Sequence, residues 1–172
     1  LSDDGTILAI GANYNDGTGS NAGHVRVYQY ASGSWTQLGS DIDGEAAGNF
    51  SGNSVSLSSD GTIVAIGAHG NNGNGTNSGH VRVYQYASGS WTQQGSDLNG
   101  ETAGDRSGKS VSLSDDGTIL AIGADYNDGT GTDAGHVRVY KYVSSNWSQV
   151  GSDIDGETAG DRSGKSVSLS DD

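Results

Sequence analysis

The sequence predicts an all-β chain of tandem four-stranded antiparallel units. Three observations predict it. The 172 residues repeat every 56 residues without insertion or deletion. Each copy holds short apolar blocks, such as Ile7-Leu8-Ala9-Ile10 and Val25-Arg26-Val27, between Gly-, Asn-, Asp- and Ser-rich stretches that read as turns. No apolar period of 3.6 residues competes with the alternating pattern.

The repeat governs every later inference. Leu1-Ser2-Asp3-Asp4-Gly5-Thr6 returns as Leu57-Ser58-Ser59-Asp60-Gly61-Thr62 and as Leu113-Ser114-Asp115-Asp116-Gly117-Thr118. The first and third copies match at 43 of 56 positions. The copies occupy residues 1–56, 57–112 and 113–168, and residues 169–172 open a fourth. The strands are phased from about residues 51, 107 and 163. A chain that starts and stops in one phase and contains no Met is expected to be a segment of a longer array.

One copy reads as four strands. Ser54-Val55-Ser56-Leu57-Ser58 alternates small polar and apolar residues, as a half-buried strand does. Ser59-Asp60-Gly61 is a tight turn, with Asp for a local hydrogen bond and Gly for positive φ. Thr62 to Ala68 is nearly continuous apolar sequence, expected of a strand buried on both faces. Gly70 to Gly79 is a polar loop. His80-Val81-Arg82-Val83-Tyr84-Gln85-Tyr86 is the third strand, with Val81 and Val83 on one face and Arg82, Tyr84 and Tyr86 on the other. Ala87 to Ser90 turns the chain into a more polar fourth strand, Trp91 to Ser96, and Asp97 to Lys109 connects to the next copy. Four short antiparallel strands per repeat of this length is the grammar of a β-propeller blade.

Composition narrows the function classes. The net charge is −13, which repels a phosphate backbone and argues against nucleic acid as a partner. Without Cys there are neither disulfides nor thiolate metal sites. No run of 18 apolar residues is present, so no membrane insertion is expected in this segment.

Ser107-Gly108-Lys109-Ser110-Val111-Ser112-Leu113-Ser114, Asp116-Gly117-Thr118 and Ala121-Ile122-Gly123-Ala124 together resemble the FG-GAP repeat of integrin-α-type β-propellers, in its bacterial or algal variant. Ser107 stands where that family has Phe, and no Pro follows Gly123-Ala124. The resemblance covers every copy. It implies a propeller fold in a secreted or surface protein of adhesion, matrix or ligand display. The family's calcium loop between the first two strands is absent, because Ser114-Asp115-Asp116-Gly117 is too short.

Candidate ligands lie in the connections between copies. Asp153, Asp155, Glu157 and Asp161 fall at relative positions 1, 3, 5 and 9. Asp97, Asn99, Glu101 and Asp105 repeat the spacing, as do Asp41, Asp43, Glu45 and Asn49. Hard oxygens on alternate residues of a Gly-containing loop suit Ca²⁺. The same residues also suit turn capping through nearby backbone N–H groups. The loop after the Gly-Ala strand carries Asp125, Asn127, Asp128 and Asp133 in the third copy and reads as an acidic pocket or as solvated turn. His24, His80 and His136 open the third strand of each copy, where a bond to a neighbouring strand or Asp is expected. Arg26, Arg82 and Arg138 are expected to pair with acids between blades. Trp35, Trp91 and Trp147 either seal the outer strands or stack on sugars. Asn49, Asn74 and Asn146 begin N-glycosylation sequons.

A residue present three times serves the unit, whereas catalysis needs one asymmetric constellation. The expected function is therefore non-enzymatic. The sequence reads as an extracellular structural or adhesive repeat protein, partnered by copies of itself, by further repeats of its own chain, or by glycans or matrix. The alternative is a lectin-like propeller with calcium-supported loops.

Overall fold

The computed structural model describes residues 1–170; Asp171 and Asp172, counted above with the opening of a fourth copy, lie outside the described residues. The described residues form three antiparallel sheets and no helix. The first sheet holds β1 (Ile7–Ala12), β2 (His24–Ala31), β3 (Ser34–Gln37) and β4 (Ile42–Asp43). The second holds β5 (Ser54–Leu57), β6 (Ile63–Ala68), β7 (His80–Ala87), β8 (Ser90–Gln93) and β9 (Leu98–Asn99). The third holds β10 (Ser110–Leu113), β11 (Ile119–Ala124), β12 (His136–Val143), β13 (Asn146–Gln149) and β14 (Ile154–Asp155). The order within each complete sheet is a meander, β5-β6-β7-β8 and β10-β11-β12-β13, as a propeller blade requires.

The hairpin between β5 and β6 shows how local sequence makes the blade. The Asp60 carboxylate accepts from Ser58 Oγ at 2.7 Å, from the Thr62 amide at 2.9 Å and from Thr62 Oγ1. Gly61 takes φ +70°. Ser114, Asp116 and Thr118 repeat the arrangement at the next hairpin.

One element departs from expectation. The connection after the fourth strand contributes a short fifth strand: Leu98 and Asn99 of β9 pair with Val81 and His80 of β7. β7 therefore pairs with β8 along its second half and with β9 at its start. Gly95, at φ +72°, turns the chain between them. Polar sequence with no alternation hid this two-residue strand.

The core lies between blades. One cluster joins Val25, Val27 and Ile42 of the first unit to Val64, Ile66 and Tyr84 of the second. The other joins Ala65, Val81 and Val83 of the second to Val111, Leu113, Leu120, Ile122 and Trp147 of the third. Successive residues of β6 thus face opposite neighbours, which is why that strand is apolar throughout.

Polar bonds across the seams repeat with the sequence. Ser56 Oγ accepts from the Leu113 amide at 3.0 Å, and Ser112 Oγ accepts from the Leu169 amide at 3.0 Å. Trp91 Nε1 donates to the Leu38 carbonyl at 2.8 Å, and Trp147 Nε1 donates to the Gln94 carbonyl at 3.1 Å. The repeated Trp therefore ties its blade to the preceding one.

Candidate functional site

The third strand of each unit presents His, Arg and Tyr on one face because side chains two apart share a face. In β7 these are His80, Arg82 and Tyr84, all buried against the first unit. The connection leaving the first unit carries Glu45 to this face. Its Oε1 lies 3.4 Å from an Arg82 guanidinium nitrogen and its Oε2 lies 3.9 Å from His80 Nδ1. Asp97 approaches from the bend between β8 and β9, with Oδ2 3.7 Å from His80 Nδ1. The other oxygen, Oδ1, accepts from Gln93 Nε2 at 2.8 Å. Arg82 is fixed further by donating to the Asp43 carbonyl at 2.9 Å.

The next seam repeats the plan with another distribution of charge. Arg138 pairs with Glu101 of the preceding unit and also donates to both oxygens of Asp153, at 3.0 and 2.9 Å. His136 Nδ1 lies 3.5 Å from Asp153 and 4.0 Å from Glu101. In the first unit no blade among the described residues covers the equivalent face, and Arg26 turns to Asp41 of its own unit. That hydrogen bonding, with Gln37 adding a second, draws the Asp41 carboxyl down to about 2.

Three groups of described residues bring one His and two carboxylates together, with ligand atoms within 4.8 Å of one another: His24, Asp41 and Asp43; Glu45, His80 and Asp97; Glu101, His136 and Asp153. Each offers one nitrogen and two oxygens to a metal ion. Burial lowers the His80 imidazole to about 4, with the Arg82 charge acting the same way and Asp97 opposing. Burial lowers His136 also. Both rings are neutral at pH 7, the form that ligates.

These groups divide the sets read along the chain: positions 1 and 3 stay with the His of their own unit, as Asp41 and Asp43 do at His24 and Asp153 and Asp155 do at His136, whereas position 5 meets the His of the next unit. The connection passes from one blade to the next instead of closing on itself, so Asp97 meets His80 while Glu101 meets His136. Position 9 turns inward for capping. Asp105 accepts from the Thr102 amide at 2.9 Å and from its hydroxyl at 2.8 Å, Asp161 does the same for Thr158, and Asn49 Oδ1 accepts from the Ala46 amide. Asn99 and Asp155 pair by backbone with His80 and His136, the Asp155 carboxylate also lies 4.0 Å from His136 Nδ1, and Glu157 is exposed. Sequence spacing missed the three His because each lies far along the chain from its carboxylates.

The loop after the Gly-Ala strand closes through side chains. Asn127 caps the Gly129 amide, Asp128 caps the Asp133 amide, and Asp133 lies 3.7 Å from Arg162. Asp125 is buried, which raises its carboxyl. Among the sequons, Asn74 and Asn146 are exposed. Asn49 is only 3% exposed, and its Oδ1 accepts from the Ala46 amide inside the turn.

The FG-GAP repeat family matches residues 41–84 and 98–140. The chain belongs to the FG-GAP repeat family. No curated protein matches it. Among solved structures, an FG-GAP chain of this length is similar to a candidate 6-phosphogluconolactonase from Bacteroides fragilis. The TM-score is 0.60 at 14% identity, over 90% of this chain and 37% of that one. A second candidate 6-phosphogluconolactonase, from Bacteroides uniformis, gives a TM-score of 0.56 at 14% identity, over 87% of this chain and 38% of that one. The chain thus spans under half of either structure. At this identity the likeness shows the blade fold alone.

The FG-GAP copies also differ at the rim of the seams. Between the first and second, Phe50 packs edge-on to Tyr14 and stacks on His69, at 5.6 and 5.3 Å between centroids. Between the second and third, Arg106 lies over Tyr126 at 4.1 Å. Burial lowers His69 to about 4, helped by the Lys109 and Arg106 charges, and its Nδ1 is buried without a hydrogen bond. The unfolded chain takes up this proton near pH 6.5 and the folded chain only near pH 4. Acidification through that window therefore favours unfolding, and the loss is complete below it. The whole shift corresponds to about 3 kcal/mol, which solvent screening of the half-buried ring reduces to about 1–2 kcal/mol. His69→Asn installs the residue that the first copy carries at Asn13. Thermal unfolding at pH 7 and 4.5 is expected to show a smaller drop on acidification in the variant. Equal drops would exclude His69 as the group responsible.

Proposed function

We propose that this chain is a non-enzymatic structural and adhesive repeat module that works outside the cell, and that its outer blade faces take further blades of the same kind. One observation carries this reading: the Trp and Ser bonds across the seams recur one repeat later, and the outer faces display the two halves of a further such contact. Leu38 and Gln94 supply the carbonyls that accept from Trp91 and Trp147. The next residue in that series is Val150, and the Trp without such an acceptor among the described residues is Trp35, 44% exposed. Arg106 covers Tyr126 across a seam. On the outer face the counterpart of Tyr126 is Tyr14, 70% exposed, while the counterpart of Arg106, Arg162, already lies over Tyr126 at 4.3 Å. Apolar patches of this kind mark protein contacts. Residence outside the cell is supported by the family, whose repeats are typical of extracellular proteins. No helix is long and apolar enough to cross a membrane among the described residues.

Analytical ultracentrifugation of the full chain between about 1 and 100 μM tests the assembly. Reversible association is expected, and Ile154→Asp on the outer face of the third unit is expected to suppress it while the circular dichroism stays unchanged. A monomer at every concentration would refute the proposal. Turnover of 6-phosphogluconolactone above the buffer rate would refute its non-enzymatic part.

A second reading, a carbohydrate-binding propeller, is favoured by a cleft of about 280 Å³ at the first seam. Asp41, Asp43, Tyr84, Ser90 and Trp91 line it. Aromatic faces beside carboxylates suit sugar hydroxyls and C–H surfaces. Binding on a glycan array, lost in Trp91→Ala, would favour this reading over the first. Calcium support in its loops would require more converging oxygens than the two carboxylates each described cluster brings together.

A further inference from the structure

We propose that Glu45, His80 and Asp97 form a site for one divalent transition-metal ion of the zinc class, clamping the first blade to the second. The inference is independent of whether chains assemble.

The side chain of His80 is 1% exposed, and its Nδ1 is sealed from solvent without a hydrogen bond. A buried nitrogen left unpaired costs free energy comparable to a lost hydrogen bond and calls for an explanation. This one points between two carboxylate oxygens, Asp97 Oδ2 at 3.7 Å and Glu45 Oε2 at 3.9 Å. Both are beyond hydrogen-bond reach. They lie close to the separation of two ligands on one tetrahedral ion, about 3.3–3.6 Å for bonds of roughly 2.0–2.2 Å. A contraction of a few tenths of an ångström brings both oxygens to that separation from Nδ1.

The surroundings orient the ligands as an outer shell does. Gln93 Nε2 holds Asp97 Oδ1 and leaves Oδ2 for the ion. Arg82 lies against Glu45 Oε1 and leaves Oε2, which also accepts from Asn71 Nδ2 at 3.4 Å. The two carboxylates and Arg82 sum to −1, which favours a divalent cation. The carboxylate side chains are 44% and 32% exposed, so a water can fill the fourth position. One imidazole with two carboxylates suits Zn²⁺ over Ca²⁺, which prefers six to eight oxygens.

The sister clusters explain why one ion is expected and not three. Arg138 bridges Glu101 and Asp153, placing a guanidinium where the ion would sit. Arg26 takes both oxygens of Asp41. In the middle cluster Asp97 has no guanidinium partner among its hydrogen bonds, and Arg82 lies against Glu45 Oε1 only, with its hydrogen bond directed to the Asp43 carbonyl.

The test is calorimetric titration of ZnCl₂ into the full chain after chelator dialysis. One ion per chain is expected, with affinity falling at least tenfold in His80→Asn and in Asp97→Asn and unchanged in His136→Asn. Co²⁺ provides a second readout on the unaltered chain, since a tetrahedral site gives intense visible absorption that one equivalent of Zn²⁺ abolishes. Absence of a one-to-one isotherm, equal affinity for Ca²⁺, or a His80→Asn variant that binds Zn²⁺ as tightly as the parent would each overturn the proposal.

Discussion

Trp147→Ala is expected to destabilise the fold by about 3–5 kcal/mol, and Trp35→Ala by less than about 1 kcal/mol. The two residues hold the same place in copies that match at 43 of 56 positions, so intrinsic strand preference barely distinguishes them. Their surroundings differ. Trp147 is 6% exposed, packs in the second core cluster and donates to the Gln94 carbonyl. Trp35 keeps its tilted contact with Tyr30, at 5.2 Å between centroids, but has no blade on its other side among the described residues. Truncating Trp147 opens a cavity at the seam and orphans a carbonyl. Domains of this size have about 5–15 kcal/mol of stability, so the loss is a large fraction of the whole. Urea unfolding of both variants at low protein concentration, where chains are monomeric, measures the contrast. Equal losses would mean that the indole acts within its own sheet and not across the seam.

The second large effect is expected at Gly67. Ala in place of Gly within a strand ordinarily stabilises slightly, because it restricts the unfolded chain. Here the sign reverses. A Cβ on Gly67 would run into the Gly108 carbonyl and into Ser54 Oγ. The Ser54 hydroxyl donates to that same carbonyl at 2.8 Å, so the oxygen has little room to retreat. Overpacking against backbone is expected to cost about 3 kcal/mol or more. Gly89→Ala is the control. It sits at φ +90° with nothing near its side-chain position, and only the left-handed backbone opposes it, by about 1–2 kcal/mol. Denaturant midpoints that fell together for both variants would show that backbone conformation, not the approach of the next blade, is what Gly67 provides. Gly11 and Gly123 meet Gly52 and Gly164 in the same way. The Gly of the Ala-Ile-Gly-Ala signature is thus a seam residue.

The blades were legible because their signals are local. Alternation over a few residues specifies β5, and a Ser-x-Asp-Gly-Thr stretch closes its own turn before any other blade is present. The unbroken apolar run of β6 announced two covered faces. The pairing of Arg with acids was legible as chemistry but not as geometry. Arg26 bonds within its unit, Arg82 reaches Glu45 of the preceding unit, and Arg138 does both. The same residue type at the same repeat position therefore made three different arrangements.

What the sequence by itself determined is the unit: its length, its strand order, its turns and its family. Each of these is written in contiguous residues, and the three copies state it three times. Only the tertiary structure decided what meets across the seams. In a repeat, an acid at a given phase can face its own blade or the next one, and spacing along the chain cannot separate the two. Packing separates them. A covered face buries His80 and brings it to Glu45, whereas an uncovered one leaves Arg26 to Asp41.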